Sequence, residues 1–204
     1  MSGRSLVFGT LGPAGSNHDF VTRRYTEAHR LENAKIIYFQ SFELAIQAMI
    51  DGDIDHVVQV AVHPDVPASV GGNLGVAHLI DAFVAASQPM AILTRRDIER
   101  PVTLCLMPAT RAYVDVSSWP EVIAAANTID VWGALKAGRC DSGLTLTRFV
   151  EDAPDRFRID RSIGAVTDAW LVYGREPLPE ASMSIWPESA AAHMLRRSAK
   201  GLPR

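Results

Sequence analysis

Three turns in this sequence carry polar residues that could bind or transform a small anion. The first, Gly12-Pro13-Ala14-Gly15-Ser16, follows an apolar run and precedes a stretch rich in helix formers. Its glycines allow a ligand to approach the backbone, and the free N–H groups of a helix start attract anions. The turn therefore predicts an anion site, although a structural turn capped by Ser16 would have the same sequence. The candidate ligand-binding residues around it are Thr10, Gly15, Ser16, Asn17 and His18.

The second turn is Asn127-Thr128, which precedes an apolar stretch starting at Ile129. Both residue types cap helices, and such a helix start could equally bind a carboxylate. Arg111, which follows Pro108 in a predicted helix, is a candidate counter-charge for that carboxylate. Asn127, Thr128 and Arg111 are therefore predicted to bind ligand, with helix capping and a solvated helix face as the alternatives.

The third turn spans residues 62–72 and begins with His63-Pro64-Asp65. A histidine two residues from an aspartate at the end of a strand could transfer a proton. The same side chains could be solvated loop residues, and their spacing alone does not separate the two interpretations. His63 and Asp65 are the candidate proton carriers of this turn, and Ser69 is a candidate ligand-binding residue.

Composition restricts the class of protein. The chain has 204 residues, of which 48% are hydrophobic and 21% charged, and its net charge is −3. These values predict an ordinary globular core, and the lack of a basic cluster argues against nucleic-acid binding. No apolar run is long enough to cross a bilayer, and the first residues lack the apolar core of a signal peptide. We therefore expect a cytoplasmic protein that does not bind a membrane.

The sequence contains no motif for a cofactor. Cys105 and Cys140 lie far apart without neighbouring metal-ligand residues, and HExxH, CxxC, Walker-loop and GxSxG motifs are absent. We predict no metal, no other cofactor, and a small molecule as the binding partner.

Strand-like and helix-like segments alternate along the chain, as in an α/β protein. Strands are predicted at residues 5–11, 35–40, 56–63, 90–94, 102–107, 122–126, 142–146, 157–163 and 169–173. Helices are predicted at residues 17–30, 42–51, 74–86, 108–114, 129–137, 147–152 and 189–195. Ser41 and Gly52 supply a cap and a stop for the second of these helices. A parallel or mixed sheet with helices on its faces binds ligands at the carboxyl ends of its strands, where the three turns are expected.

The motifs, in this order, resemble the catalytic domain of prephenate dehydratase. That family has LGPxG[TS] after its first strand, as residues 11–16 do here, and a turn of small residues like 62–72 after its third strand. Its Ser-Thr before an Ala-rich helix corresponds to Asn127-Thr128, and its last strand runs into Gly-Arg-Glu, as at Gly174-Arg175-Glu176. The resemblance covers about residues 5–176. It implies an α/β, two-lobed fold of the type 2 periplasmic-binding-protein kind, with mixed sheets, helices on both faces, and a dicarboxylate held between the lobes.

The catalytic motifs of the family are replaced. Dehydratases carry Thr-Arg-Phe entering the last strand, where this sequence reads Asp168-Ala169-Trp170. Thr147-Arg148-Phe149 spells that motif but lies too early, before an acidic segment. The family's Glu-Asn-Ser and Ser-His-Pro fall at His63-Pro64-Asp65 and Leu106-Met107-Pro108. A similar loss marks the prephenate decarboxylase of the bacilysin pathway and related natural-product enzymes, and the chain resembles that branch.

The resemblance implies a lyase that decarboxylates prephenate, or a close cyclic acid, without aromatisation and without a cofactor, in specialised metabolism. Such an enzyme must withhold a proton from the ring hydroxyl and place one on a ring carbon. His63, Asp65 and Asp168 would be catalytic, and Thr167 would join the ligand-binding residues. One alternative is a divergent dehydratase making phenylpyruvate, with Asp168 or Thr167 replacing the missing Thr. Another is a non-catalytic cytosolic module that binds a small anion.

The expected organisation is a single catalytic domain at residues 1–176. Lobe 1 would comprise about residues 1–82 and 157–176, and lobe 2 about residues 83–156, followed by a tail at 177–204 and no regulatory domain. Analogy with the family also predicts a homo-oligomer, either a dimer or a tetramer.

Overall fold

The computed structural model describes residues 4–31 and 33–178, together with Ser189, Ala192, His193, Leu195 and Arg196. Its strands are β1 Val7–Leu11, β2 Lys35–Phe39, β3 His56–Val60, β4 His78–Ala86, β5 Met90–Arg95, β6 Thr103–Leu106, β7 Glu121–Ala124, β8 Ser142–Leu146, β9 Phe157–Gly164 and β10 Thr167–Gly174. Its helices are α1 Asn17–Ala28, α2 Phe42–Asp51, α3 Val66–Gly71 and α4 Thr128–Lys136, with 3₁₀ helices at Pro108–Tyr113 and Thr147–Val150.

The strands form two five-stranded mixed sheets. The order is β2-β1-β3-β10-β4 in the first sheet and β7-β6-β8-β5-β9 in the second. In each sheet three neighbouring strands are parallel, and the next strand in the order runs antiparallel to them. Each sheet with its helices makes one lobe, so the predicted two-lobed α/β fold is confirmed.

The chain crosses between the lobes twice, after β4 and after β9. The two crossings are joined at Ser87, whose N–H donates to the carbonyl of Val166 at 2.8 Å and whose Oγ accepts from the Val166 N–H at 3.0 Å. The crossings correct the expected lobe boundaries. β9 pairs with β5, so residues 157–164 belong to the second sheet, and all of β4 belongs to the first.

The cores of the lobes lie between sheets and helices. In the first lobe, one side chain cluster under α2 contains Phe42, Ile46 and Tyr173, and another under α1 contains Phe8 and Trp170. The second lobe has a single core, in which Trp132 stacks on Phe149 with the ring centroids 5.2 Å apart. The first sheet is thus buried on two faces, which fixes the carboxyl ends of β1 and β3 where the predicted turns begin.

The predicted helix at residues 74–86 is wrong, because most of it is strand β4. The pairing of β4 with β10 shifts register between Val172 and Tyr173, which pair with Asp81 and Leu79. The shift spaces the inward-facing residues Ile80, Phe83 and Ala85 by three and then two positions. That spacing imitates the i, i+3 pattern of a helix and hides the alternation of a strand.

Other predicted elements agree with the structure. Helix α2 has the predicted bounds, its cap Ser41 accepts from the Leu44 N–H at 3.2 Å, and Gly52 ends it in the left-handed conformation with φ 89°. The turn at residues 62–72 contains the short helix α3, which the sequence did not predict. Within the predicted helix at residues 189–195, Ala192, His193 and Leu195 are helical, and residues 190, 191 and 194 lie outside the described residues. Among those that are described, no helix is long and apolar enough to span a membrane.

Candidate functional site

A cleft of about 880 Å³ lies between the two lobes, beside the crossings. This volume is in the range that holds small organic ligands. The first lobe lines it with the start of α1, the loop after β3 and the start of β10, and the second lobe with the Pro108–Tyr113 helix and the start of α4. The carboxyl ends of strands in both sheets therefore open onto one space, as expected for α/β folds.

The first wall is the start of α1. Ser16 caps the helix by accepting from the Asp19 N–H at 3.3 Å, and the Asp19 carboxylate accepts from the Gly15 N–H at 2.7 Å. Asp19 also accepts from the Tyr38 hydroxyl at 2.8 Å. The N–H groups of Asn17 and His18 lie in the first turn, where no intrahelical acceptor exists. Both residues line the cleft, and a helix start of this kind attracts anions.

The second wall is the start of α4. Asn127 caps it by accepting from the Asp130 N–H at 2.9 Å, and its Nδ2 donates to the Asp130 carboxylate at 2.8 Å. The first-turn N–H groups of Thr128 and Ile129 have no intrahelical acceptor. The positive ends of two helix dipoles, one from each lobe, thus face the same cleft.

Two neutral imidazoles lie on the first wall. Burial, with a contribution from nearby His63, lowers the pKa of His18 to about 4. The His18 ring packs edge-on against Trp170 with the centroids 5.4 Å apart, and the His63 ring packs against Phe42 at 4.8 Å. Burial lowers the pKa of His63, and the Asp65 carboxylate opposes that shift. At pH 7 His18 is therefore a neutral donor or acceptor and not a cation.

The predicted proton pair of His63 and Asp65 has a different geometry. The backbone N–H of Asp65 donates to Nδ1 of His63 at 3.2 Å, whereas the Asp65 carboxylate is 3.6 Å from the same nitrogen. A backbone N–H can only donate, so Nδ1 is the acceptor and the proton of the neutral ring lies on Nε2. Asp65 therefore orients His63 through its main chain and does not line the cleft.

Asp168 and Tyr113 are acids on opposite lobes. Burial raises the pKa of Asp168, and burial together with the Asp168 carboxylate raises the pKa of Tyr113. Both residues line the cleft. A carboxyl group whose pKa is raised holds its proton to a higher pH, which is the property of a general acid.

The described lining of the cleft contains no Lys or Arg side chain. Arg111, the predicted counter-charge, is exposed on the 3₁₀ helix and lies outside the lining. Arg148, from the misplaced Thr-Arg-Phe, donates through Nη2 to the Gly15 carbonyl at 3.1 Å without lining the cleft. Attraction for an anion thus comes from helix ends and amides.

The structure brings together seven of the predicted site residues and separates six others from the cleft. The residues in the lining are Ser16, Asn17, His18, His63, Asn127, Thr128 and Asp168. The six outside it are Thr10, Gly15, Asp65, Ser69, Arg111 and Thr167.

Four of these six are explained by their local contacts. Thr10 is fully buried and its hydroxyl donates to the Val58 carbonyl at 2.9 Å. The N–H of Gly15 is taken by Asp19, and its carbonyl accepts from Gln88 and Arg148. Ser69 is buried within α3. Thr167 is exposed, because successive strand residues face opposite sides and Asp168 takes the cleft side.

Sequence reasoning missed the apolar and aromatic part of the site. Trp170, Tyr113, Met90 and Met107 line the cleft, as does Asp130. Of these, Trp170 and Met107 had a signal, because they occupy positions of the replaced Thr-Arg-Phe and Ser-His-Pro motifs.

No protein-family model and no curated protein matches this chain. Among solved structures, it is similar to prephenate dehydratase from Arthrobacter aurescens in complex with L-Phe, with a TM-score of 0.59 and 14% identity over 96% of this chain and 72% of that one. It is also similar to GqqA, described as a novel type of quorum quenching acylase, with a TM-score of 0.55 and 12% identity over 87% of this chain and 67% of that one. The periplasmic domain of BvgS from B. pertussis gives a TM-score of 0.51 and 13% identity over 98% of this chain and 40% of that one. These similarities show the fold, which enzymes and periplasmic proteins share.

Proposed function

We propose that the chain is a cofactor-independent lyase that removes CO₂ from prephenate, or from a close cyclic dicarboxylate, without making the ring aromatic. The observation that carries this proposal is a cleft that two helix N-termini line and whose described lining has no Lys or Arg. The similarity in fold to prephenate dehydratase supports the substrate class.

The helix ends suit the two carboxylates of such a substrate. One carboxylate would bind the N–H groups of Asn17 and His18, and the other the N–H of Thr128, since these three residues line the cleft. The ring would lie between Trp170 on one lobe and Met107 on the other, both of which line the cleft. Hydrogen bonds from fixed backbone donors hold an anion without adding a full positive charge.

That lack of a cation favours loss of CO₂. A guanidinium beside the departing carboxylate would stabilise the ground state more than the transition state, because the negative charge leaves the carboxylate as the bond breaks. In the proposed step the bond from the ring carbon to the carboxylate breaks and its electron pair forms a new ring double bond. The adjacent double bond shifts, and its far carbon takes a proton. Asp168 is the proposed donor of that proton, and the Nε2–H of His63 a donor to the bound substrate.

Dehydration is the second candidate, and the same acid favours it. If Asp168 faces the ring hydroxyl, its proton would leave with that hydroxyl as water, and the ring would become aromatic. The two reactions differ only in which atom the proton reaches. Their products therefore decide between them.

The test is incubation of the purified protein with prephenate, followed by mass spectrometry and ultraviolet absorbance. Decarboxylation alone gives a product that has lost CO₂ and retains the hydroxyl, whereas dehydration gives phenylpyruvate. The matched control is prephenate with the Asp168→Asn variant. Phenylpyruvate as the product would establish the dehydratase. Binding without turnover, measured by calorimetry, would indicate a binding module. A protein that does not bind prephenate and does not convert it would overturn the proposal.

A further inference from the structure

The side chain of Asn17 is held by the crossing between the lobes. The backbone N–H of Gln88, which follows β4, donates to Oδ1 of Asn17 at 3.0 Å, and Nε2 of Gln88 lies 3.4 Å from the same oxygen. Gln88 is 9% exposed, so these contacts are shielded from water. The start of α1 is therefore hydrogen-bonded to the crossing between the lobes.

The contact fixes which end of the Asn17 amide faces the ligand. A backbone N–H can only donate, so the atom of Asn17 that faces Gln88 must be the oxygen. Nδ2 points away from Gln88 and has no hydrogen-bond partner among the described residues. Asn17 lines the cleft, so its two side-chain N–H groups add to the backbone donors of the same helix turn.

The neighbouring carbonyl is held in the same way. Nε2 of Gln88 donates to the Gly15 carbonyl at 3.0 Å, and Arg148 of the second lobe donates to that carbonyl at 3.1 Å. The side chain of Gln88 in the crossing thus contacts both the turn before α1 and the first residue of α1.

We infer that Gln88 is a positioning residue that directs the Nδ2 group of Asn17 toward the carboxylate of the ligand and so couples the arrangement of the lobes to anion binding. With prephenate as the ligand, the inference rests on the proposed function.

The test is the isosteric substitution Gln88→Glu. It replaces the Nε2 donor with a carboxylate oxygen that faces two acceptors, the Gly15 carbonyl and Oδ1 of Asn17. The backbone N–H of residue 88 remains a donor in this variant, but a hydrogen bond to a charged carboxylate is stronger than that neutral one. We therefore expect the Asn17 amide to turn and give its Nδ2 to the new carboxylate, leaving its oxygen toward the cleft. The KM for prephenate should then rise about tenfold or more, with kcat changed less than about twofold, because binding is lost equally in the ground and transition states. In the NMR spectrum of the unliganded protein, the side-chain amide signal of Asn17 should shift.

The matched control is Gln88→Met, which keeps the size of the side chain and the backbone N–H that holds Asn17. It should leave the Asn17 signal in place and KM within about threefold of the wild-type value. An unchanged signal in Gln88→Glu would overturn the inference, and so would a shifted signal with an unchanged KM.

The inference and the proposed function fail in different ways. If the wild-type protein does not bind prephenate, the proposed function fails, and malonate then serves as the probe, followed at the backbone amides of Asn17 and His18. Weaker malonate binding in Gln88→Glu than in Gln88→Met would support the positioning role. Equal binding, or no binding by either wild type or variants, would overturn it.

Discussion

The two walls of the cleft have the same kind of helix cap but differ in the chemistry of the residues around it. Each begins a helix with a polar cap, Ser16 or Asn127, that accepts from the N–H of an aspartate three residues later. Around the first cap lie groups with perturbed titration, namely His18, His63 and Asp168. Around the second, the lining is largely apolar, with Met107 and Pro108.

This difference indicates that the two lobes have different roles in the proposed reaction. Both helix ends can bind a carboxylate, so binding is shared. Proton transfer needs a group whose protonation state is set by its surroundings, and the first lobe supplies most of those in the cleft. Substitutions of the titrating groups in the first lobe should therefore alter kcat or its pH dependence, and substitutions that weaken either helix end as an anion site should alter KM.

The largest effect should follow the substitution Asp168→Asn. The amide keeps the shape of the side chain but is not an acid, so kcat should fall by about 10²-fold or more, with KM changed less than about threefold. Steady-state kinetics with prephenate measure both. The control is Thr167→Ala at the neighbouring exposed position, which should match the wild type. A kcat close to wild type in Asp168→Asn would show that Asp168 is not the general acid of the reaction.

The second effect is a loss of stability in acid caused by His18. Its pKa is about 4 in the folded protein and about 6.5 in an unfolded chain, so protonation favours unfolding. The contribution is complete above pH 6.5 and is lost as the pH falls to 4, by about 3 kcal/mol. Urea unfolding of wild type and His18→Gln at pH 7.5 and pH 4 measures it.

The variant His18→Gln should show the smaller decrease in the free energy of unfolding between these two pH values. His63, which is 25% exposed, acts in the same direction, and Asp168 acts in the opposite direction because its pKa is raised. His63→Gln should therefore give a weaker version of the same change. Identical pH dependence in wild type and His18→Gln would mean that His18 is hydrated in the folded protein.

The third effect tests binding on the second wall by the substitution Thr128→Pro. Proline removes one backbone N–H, and the first position of a helix tolerates it because that N–H has no intrahelical partner. Asn127 has φ −154° and ψ 173°, which suits a residue before proline. Losing a hydrogen bond to a carboxylate should raise KM about tenfold or more, with kcat little changed.

The control for this substitution is Thr128→Val, which keeps the N–H and loses only the hydroxyl. It should bind prephenate like the wild type if the backbone is the donor. An equal loss of affinity in both variants would instead assign binding to the hydroxyl of Thr128.

The sequence was sufficient to predict the two helix starts and the polar residues His18, His63 and Asp168 near the first, but not the apolar lining of the cleft. Caps such as Ser16 and Asn127 are set by local backbone chemistry, which a sequence displays directly. The strand β4 was hidden because its register shift with β10 is a property of the pair of strands, and Ile80 and Phe83 alone imitate a helix. The position of Asp65 outside the cleft lining could not be predicted for a related reason. The direction of its backbone N–H toward His63 depends on the turn and not on the spacing.

The smallest expected effect concerns Arg148, which joins the second lobe to the first wall. Its hydrogen bond to the Gly15 carbonyl is exposed, so the substitution Arg148→Ala should lower the free energy of unfolding by only about 0.5–1 kcal/mol. Gln88 still donates to the same carbonyl, so KM and kcat should remain near wild type. Urea unfolding and kinetics compare this variant with Arg111→Ala, which removes another exposed arginine from the same lobe and should have no effect on either quantity. A large rise in KM for Arg148→Ala alone would show that the second lobe also contributes a cation to binding, which would erase much of the difference between the two walls.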